Sequence, residues 1–344
     1  MMLILDRRVG NSPRYILADS EDEVMFIPPD LIRCVVFVGI KKSDESMGYL
    51  GTGFWVVRPI GNNIQGNFAY LVTAKHVITK IKELGLDQVW LRVNLKRGKS
   101  IPVPTLLSDW KVLENSDVAA IKISIQSEWD HGGWPLECIM SDLLVRGERI
   151  GIGHEVFFAG LFTKRYGNER NIPITRVGNI AALPDSGEKI RLRSGDLVTA
   201  YLTECRSIGG LSGSPAFIDI NGTLPGFRGH RPSFFLFGII VGHYDQENSV
   251  EDADLMADDG VKPIMINTGI AVILAAEDIH VMIQKFATED ESDIQRHVEK
   301  HGPTEDAVFD EPMQQTPGPE GINIPIPSES QFFSDLKKAS RKKE

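Results

Sequence analysis

The sequence predicts an all-β protein built from two successive sets of antiparallel strands, then one helix, then a tail without structure. Three observations predict it. Short apolar runs separated by turn residues fill residues 34–123 and again 150–274. The 344 residues include 32 glycines, which suits a fold with many turns. Beyond residue 287 the composition becomes acidic, then proline-rich, then basic, and such a stretch cannot bury enough apolar surface to fold.

Residues 1–29 are mixed in pattern and end in Pro28-Pro29, so they read as an N-terminal arm. The first strand set is Cys34–Ile40, Gly53–Val57, Phe68–Val72, Val89–Val93 and Val118–Ile123. Runs of this length and spacing point to an antiparallel barrel or sandwich. Gly61-Asn62-Asn63 and Gln65-Gly66 suit a hairpin loop. Gln126–Leu144 is weakly patterned, and its Trp129 and Trp134 fit a connector packed across both sets. The second set is Ile150–Ile152, Val156–Leu161, Ile172–Leu183, Asp196–Thr203, Ala216–Ile220, Phe234–Val241 and Gly269–Leu274. Ile279, Met282, Ile283 and Phe286 recur at helical spacing in Ala276–Phe286.

The domain expectation is therefore an arm (1–29), a core (30–287) and a disordered Pro-rich, charged tail (288–344). The core divides into a first unit, 30–124, and a second, 145–287. Within the tail, Gly321–Pro327 and Phe332-Phe333 are candidates for docking on a protein partner or on the chain's own cleft. The plainer reading is an unstructured end.

Composition limits the function classes. Apolar residues at 42% and charged residues at 24% are those of a globular protein. A net charge of −10 argues against nonspecific nucleic-acid binding by the whole chain. The odd, sparse set Cys34, Cys138 and Cys205 points to a reducing compartment. No cysteine spacing suits zinc and no His-Glu-x-x-His helix occurs, so neither metal nor cofactor is expected. No apolar run is long enough to cross a bilayer, and Met1–Ile4 is soon followed by Asp6, Arg7 and Arg8. The expectation is a cytoplasmic protein without a membrane or nucleic-acid partner. Gln246–Gly260 is acidic but lacks the mid-loop glycine and closing glutamate of an EF-hand. It reads as a solvated loop, with a lid or calcium site as the other reading.

The chemistry lies in three segments. Gly210-Leu211-Ser212-Gly213-Ser214-Pro215 sets a serine between glycines just after a strand-like run. Taken alone, such a cluster marks a turn. Earlier in the chain stand Leu71-Val72-Thr73-Ala74-Lys75-His76 and Ser116-Asp117-Val118-Ala119. A serine hydroxyl needs a base within hydrogen-bond reach, and the base needs a partner that fixes its tautomer. His76, Asp117 and Ser212 supply base, orienting carboxylate and nucleophile. The amides of Gly210 and Ser212 suit an oxyanion hole.

In these segments the chain resembles the chymotrypsin-like (trypsin-fold) serine peptidases, of the bacterial-style branch without zymogen features. The resemblance spans residues 30–287 and rests on Gly51–Val56, Thr73–Val77, Asp117–Ala119, Gly210–Pro215 and Phe237–Ile240. It implies two packed antiparallel β-barrels of the trypsin-like fold, with the site in the cleft between them and a polypeptide as substrate. It also implies the roles just given to His76, Asp117, Ser212 and Gly210.

Two departures matter. Leu211 stands where activated members carry an aspartate, and no Ile-Val-Gly-Gly start precedes the first unit. Activation by N-terminal cleavage is therefore not expected. Arg206 falls six residues before Ser212, where the family places its pocket floor, and Val241, Gly242 and His243 fall at the pocket wall. Arg206 facing inward would favour an acidic substrate side chain. Because a buried unpaired arginine is costly, the competing reading turns it outward to a surface acid.

Two functions follow. One is a serine endopeptidase acting through an acyl-enzyme. The alternative is a peptidase-fold binding or signalling module working through its tail or cleft. An α/β-hydrolase is disfavoured, because its elbow wants Gly-x-Ser-x-Gly and the chain order Ser, Asp, His.

Overall fold

A computed structural model describes residues 4–6, 14–16, 27–61, 64–147, 150–192, 195–205, 209–220, 234–247 and 265–301. Within the arm, β1 (Ile4–Asp6) pairs antiparallel with β2 (Arg14–Ile16). Helix α1 (Pro29–Arg33) opens on a proline, where a missing amide costs nothing.

The first half is a sheet. It contains β3 (Val35–Lys41), β4 (Met47–Gly61) and β5 (Ile64–Ala74). Helix α2 (Lys75–Glu83) leads on to β6 (Gln88–Asn94), β7 (Ser100–Leu106), β8 (Lys111–Val112) and β9 (Val118–Lys122). The spatial order is β7-β6-β3-β4-β5-β9-β8, and β10 (Trp134–Pro135) adds as an eighth strand, parallel to β4.

The second half follows α3 (Asp142–Gly147). Strands β11 (Glu155–Gly160) and β12 (Ile174–Ala182) precede a small pair, β13 (Ile190–Arg191) with β14 (Leu197–Val198). Then come β15 (Ala200–Glu204), β16 (Pro215–Asp219), β17 (Phe234–Glu247) and β18 (Met265–Ala275). The six larger strands close a barrel in the order β11-β12-β15-β18-β17-β16. Helices α4 (Ala276–Gln284) and α5 (Ala287–His301) end the described chain.

The second strand set closes a barrel, and the first forms a sheet. Among the described residues no pairing joins β7 to β8, the two ends of the first sheet. Strand β8 has only two residues, too few to carry a closing ladder. Strand β7 carries Pro102 and Pro104, which lack amide donors, and prolines belong on strands at a sheet edge.

Two segments depart from their local sequence pattern. Ile150–Ile152 is not a strand: it forms a turn into Gly153 (φ +91°), and Ile152 is exposed. Composition alone has disorder begin at residue 288, yet α5 continues to His301. Tertiary contacts hold it. Asp290 is fully buried, bonds to the Tyr70 hydroxyl and the Arg58 guanidinium, and has Lys122 Nζ 2.6 Å away.

The two halves pack through apolar contacts. Phe37, Phe54, Trp55 and Tyr70 are buried in the core against the first sheet, and Phe158, Phe237 and Ile273 fill the barrel. The connector spans both: Trp134 pairs with Val56 of β4, and its ring lies 4.6 Å from Phe217 of β16. From the barrel's end, α4 buries Ile279, Met282 and Ile283, and Phe286 beyond it stacks 5.4 Å from Tyr70 in the sheet.

Candidate active site

Strand register brings His76 to Asp117. Strand β5 pairs antiparallel with β9 through Thr73↔Ala119 and Ala74↔Val118. One step further puts Asp117 opposite Lys75, and the Lys75 amide donates to the Asp117 carbonyl at 3.0 Å. There the chain turns into α2, so His76 is the second residue of a helix. Ala74 offers no side-chain cap and the first turn holds no acidic residue. The orphan amides of a helix N-terminus need acceptors, and Asp117 supplies one: the His76 amide donates to its Oδ1 at 2.7 Å. The other oxygen, Oδ2, lies 2.6 Å from His76 Nδ1. Asp117 is wholly buried, while the imidazole is 30% exposed. The carboxylate thus holds the ring through Nδ1 and leaves Nε2 outside this bond.

Ser212 comes from the second half. Its loop joins β15 to β16 and turns at Gly210 (φ +103°) and Gly213 (φ +86°), both in the left-handed region. Gly213 also needs its missing Cβ for space. A Cβ there would collide with the Thr52 carbonyl oxygen and lie 2.5 Å from Thr73 Oγ1 and 3.0 Å from the Ala74 amide. The residue after the serine therefore sits against the end of β5, beside the start of α2. The Ser212 carbonyl accepts the Thr52 amide at 2.8 Å.

Thr52 anchors the serine loop. Fully buried, its hydroxyl donates to the Gly210 carbonyl at 2.7 Å and accepts the Leu161 amide at 2.9 Å. Its own carbonyl accepts the Thr73 hydroxyl at 2.7 Å. Strand β4, strand β5, the serine loop and the end of β11 thus meet at one threonine. The only signal in the sequence is its place between Gly51 and Gly53. A Cβ at Gly51 would lie 2.9 Å from the Ser212 carbonyl oxygen.

Among the described residues, neither the Gly210 nor the Ser212 N–H donates a hydrogen bond, and the Ser212 hydroxyl makes none. The next two amides are committed: Gly213 donates to Ile240 at 2.7 Å and Ser214 to Leu211 at 2.9 Å. Ile240 returns its own amide to Ser214 at 2.9 Å. This ties β17 to the serine loop, and Val241, Gly242 and His243 continue directly from that contact. Val241 is buried, and Gly242 and His243 are half-buried. Arg206 lies outside the described residues, as do residues 248–260 of the acidic loop, Gly321–Pro327 and Phe332-Phe333.

Lys75, next to His76, ion-pairs across the halves with Asp196 at 3.0 Å. Among the described residues no three His, Cys, Asp or Glu side chains are grouped to hold a metal ion. No described helix is long and apolar enough to cross a membrane. The cysteines are free: burial pushes the Cys138 thiol up to about 11 and the Cys34 thiol higher still. Neither holds a usable thiolate at neutral pH.

No protein-family model matches the sequence. No curated protein matches it either. Among solved structures, that of Deg5 aligns with a TM-score of 0.39 and 17% identity, over 62% of this chain and 81% of that one.

Proposed function

We propose that this chain is a serine-type hydrolase of the trypsin-like kind, cleaving peptide bonds through an acyl-enzyme on Ser212. The observation that carries the reading is the His76–Asp117 pair: a buried carboxylate 2.6 Å from Nδ1 of a side chain that is 30% exposed. A carboxylate at Nδ1 holds the proton there and leaves Nε2 free to take one from a nucleophile. In this reading His76 takes the Ser212 proton, the hydroxyl oxygen attacks the carbonyl, and the imidazolium returns the proton to the leaving amine. Water then repeats the sequence and frees the acid. The unengaged amides of Gly210 and Ser212 receive the negative oxygen. Residues 30–287, with α5 packed against them, form the peptidase unit with a polypeptide as substrate, and Val241, Gly242 and His243 border its pocket.

A second reading, a binding module on the same scaffold, takes its support from the Ser212 hydroxyl, which makes no hydrogen bond among the described residues. Labelling with a fluorophosphonate separates the two. We expect covalent reaction of the full-length protein at Ser212, lost in Ser212→Ala. A wild-type chain that stays unlabelled, with its melting temperature intact, would leave the binding module.

A further inference from the structure

The turn that carries Asp117 is gripped from the opposite half of the molecule. Ser116, next to Asp117 and 3% exposed, donates its hydroxyl to Asp278 Oδ2 at 2.6 Å. Asp278 is the third residue of α4, and α4 continues without a break from β18. Strand β18 pairs with β17 through Ile239↔Leu274 and Ile240↔Ile273. Ile240 is the residue that holds Gly213 and Ser214. A connected path therefore runs from the Asp117 turn through Ser116, Asp278, α4, β18 and β17 to the serine loop.

We propose that Asp278 is a positioning residue, fixing the Asp117 turn against the half that carries Ser212 and so setting the aim of the His76–Asp117 pair. This rests on the serine-hydrolase reading above. Attachment of α4 is a separate matter. The helix is already held by buried Ile279, Met282 and Ile283. Just beyond it, Lys285 Nζ donates to the Val112 carbonyl at 2.8 Å, and Lys111 Nζ donates to the Lys285 carbonyl at 2.9 Å. What the Ser116 bond adds is the orientation of residues 113–117. Asp278 also borders an open cavity of about 350 Å³, shared with Leu113, Glu114, Asn115, Val281 and Lys285. Water can fill the space left by a smaller side chain there, so substitutions are compatible with folding. Burial pushes the Asp278 carboxyl up, and the Ser116 bond opposes this. A neutral asparagine, which can accept the same bond, suits the position.

The test uses the full-length protein and four variants: Ser116→Ala, Asp278→Ala, Asp278→Asn and the double alanine variant. Turnover is read on a peptide or ester substrate, and the His76 Nδ1 proton is followed by NMR. We expect each single alanine variant to lose about tenfold in kcat, with KM and melting temperature nearly unchanged. The double variant should be no worse than either single, because both remove one interaction. Asp278→Asn should restore kcat to within about twofold, and the His76 resonance should shift in both alanine variants. Independent losses that multiply in the double variant, or an unshifted resonance, would overturn the assignment. So would losses that only follow falling melting temperature. The NMR signal needs no catalysis. If fluorophosphonate fails to label the wild type while the resonance still responds to both alanine variants, the hydrolase reading fails and the mechanical link stands.

Discussion

Both oxygens of Asp117 are committed to His76, one to its main-chain amide at 2.7 Å and the other to Nδ1 at 2.6 Å. This double engagement determines what an amide in the same place would do. In Asp117→Asn the side-chain oxygen must accept the His76 amide, because an NH₂ group cannot. The NH₂ group then faces Nδ1, which becomes an acceptor, and the ring proton moves to Nε2. A histidine in that tautomer cannot take the serine proton. We expect kcat to fall by about 10³–10⁴ at neutral pH with KM little changed. Turnover within tenfold of wild type would remove Asp117 from the mechanism.

Gly213 predicts a failure of a different kind. Its φ of +86° and its contact with Thr52, Thr73 and Ala74 exclude a methyl group. Gly213→Ala should destabilise by more than about 3 kcal/mol, since strain and overlap act together. Gly147→Ala, where a Cβ meets nothing within 4 Å, should be neutral or slightly stabilising. Thermal melts of the two variants side by side provide the check. Equal melting temperatures would mean that the serine loop does not seat against β5 as described.

Much of this arrangement is readable from residues, and what is hidden has physical causes. Most long strands announce themselves through apolar runs between turn residues, because both a sheet face and a barrel interior demand them. Strand β7 does not, because Pro102 and Pro104 interrupt its pattern, and the same prolines make it an edge. Ile150–Ile152 looks like strand yet turns at Gly153. Helix α5 is mostly polar and offers little apolar periodicity; its hold on the sheet comes from Asp290 and the half-buried Ile294. In the site, His76, Asp117 and Ser212 stand out because each lies in a characteristic short segment. Thr52 does not, because a threonine in a strand already has a packing explanation. Only the register that brings Gly210 and Leu161 to its hydroxyl reveals its task.

Asp130 gives a pH prediction. Burial works to raise its carboxyl, but hydrogen bonds and charge from Arg33 and Arg170 outweigh it and hold the group below the usual carboxylate range. Arg33 Nη2 lies 2.9 Å and Arg170 Nη2 2.8 Å from its oxygens, which clasps α1 to the loop after β11. A depressed folded value means that the stabilisation is complete above the unfolded value of about 3.9 and is lost as pH falls through the folded one. Asp130→Asn should therefore lower the melting temperature by a few degrees at pH 7, the effect being limited because both arginines are partly exposed. The gap to wild type should narrow as pH falls below about 3.9 and close once pH passes below the depressed folded value. A gap that persists unchanged in acid would show that the charge contributes nothing.

Asp290 sets where the folded chain can be cut. It is buried against the Tyr70 hydroxyl and the Arg58 guanidinium, with Lys122 Nζ at 2.6 Å. Burial and the Asp290 carboxylate push the Tyr70 phenol up, so tyrosine stays a donor at any ordinary pH. Removing the acid leaves two cations facing each other across a partly buried space, with nothing between them. Loss of one partner from such a cluster typically costs about 3–5 kcal/mol. A chain ending after His301 keeps Asp290 and should melt within a few degrees of full length. A chain ending after Ala287 should melt far lower, and Asp290→Ala in the full chain should account for most of that loss. If the two truncated chains melt together, α5 carries no stability and the fold ends at Phe286. If Asp290→Ala is silent while the shorter chain is unstable, the helix is held by Ile294 and the pairs Lys111–Glu289 and Lys122–Asp293 instead.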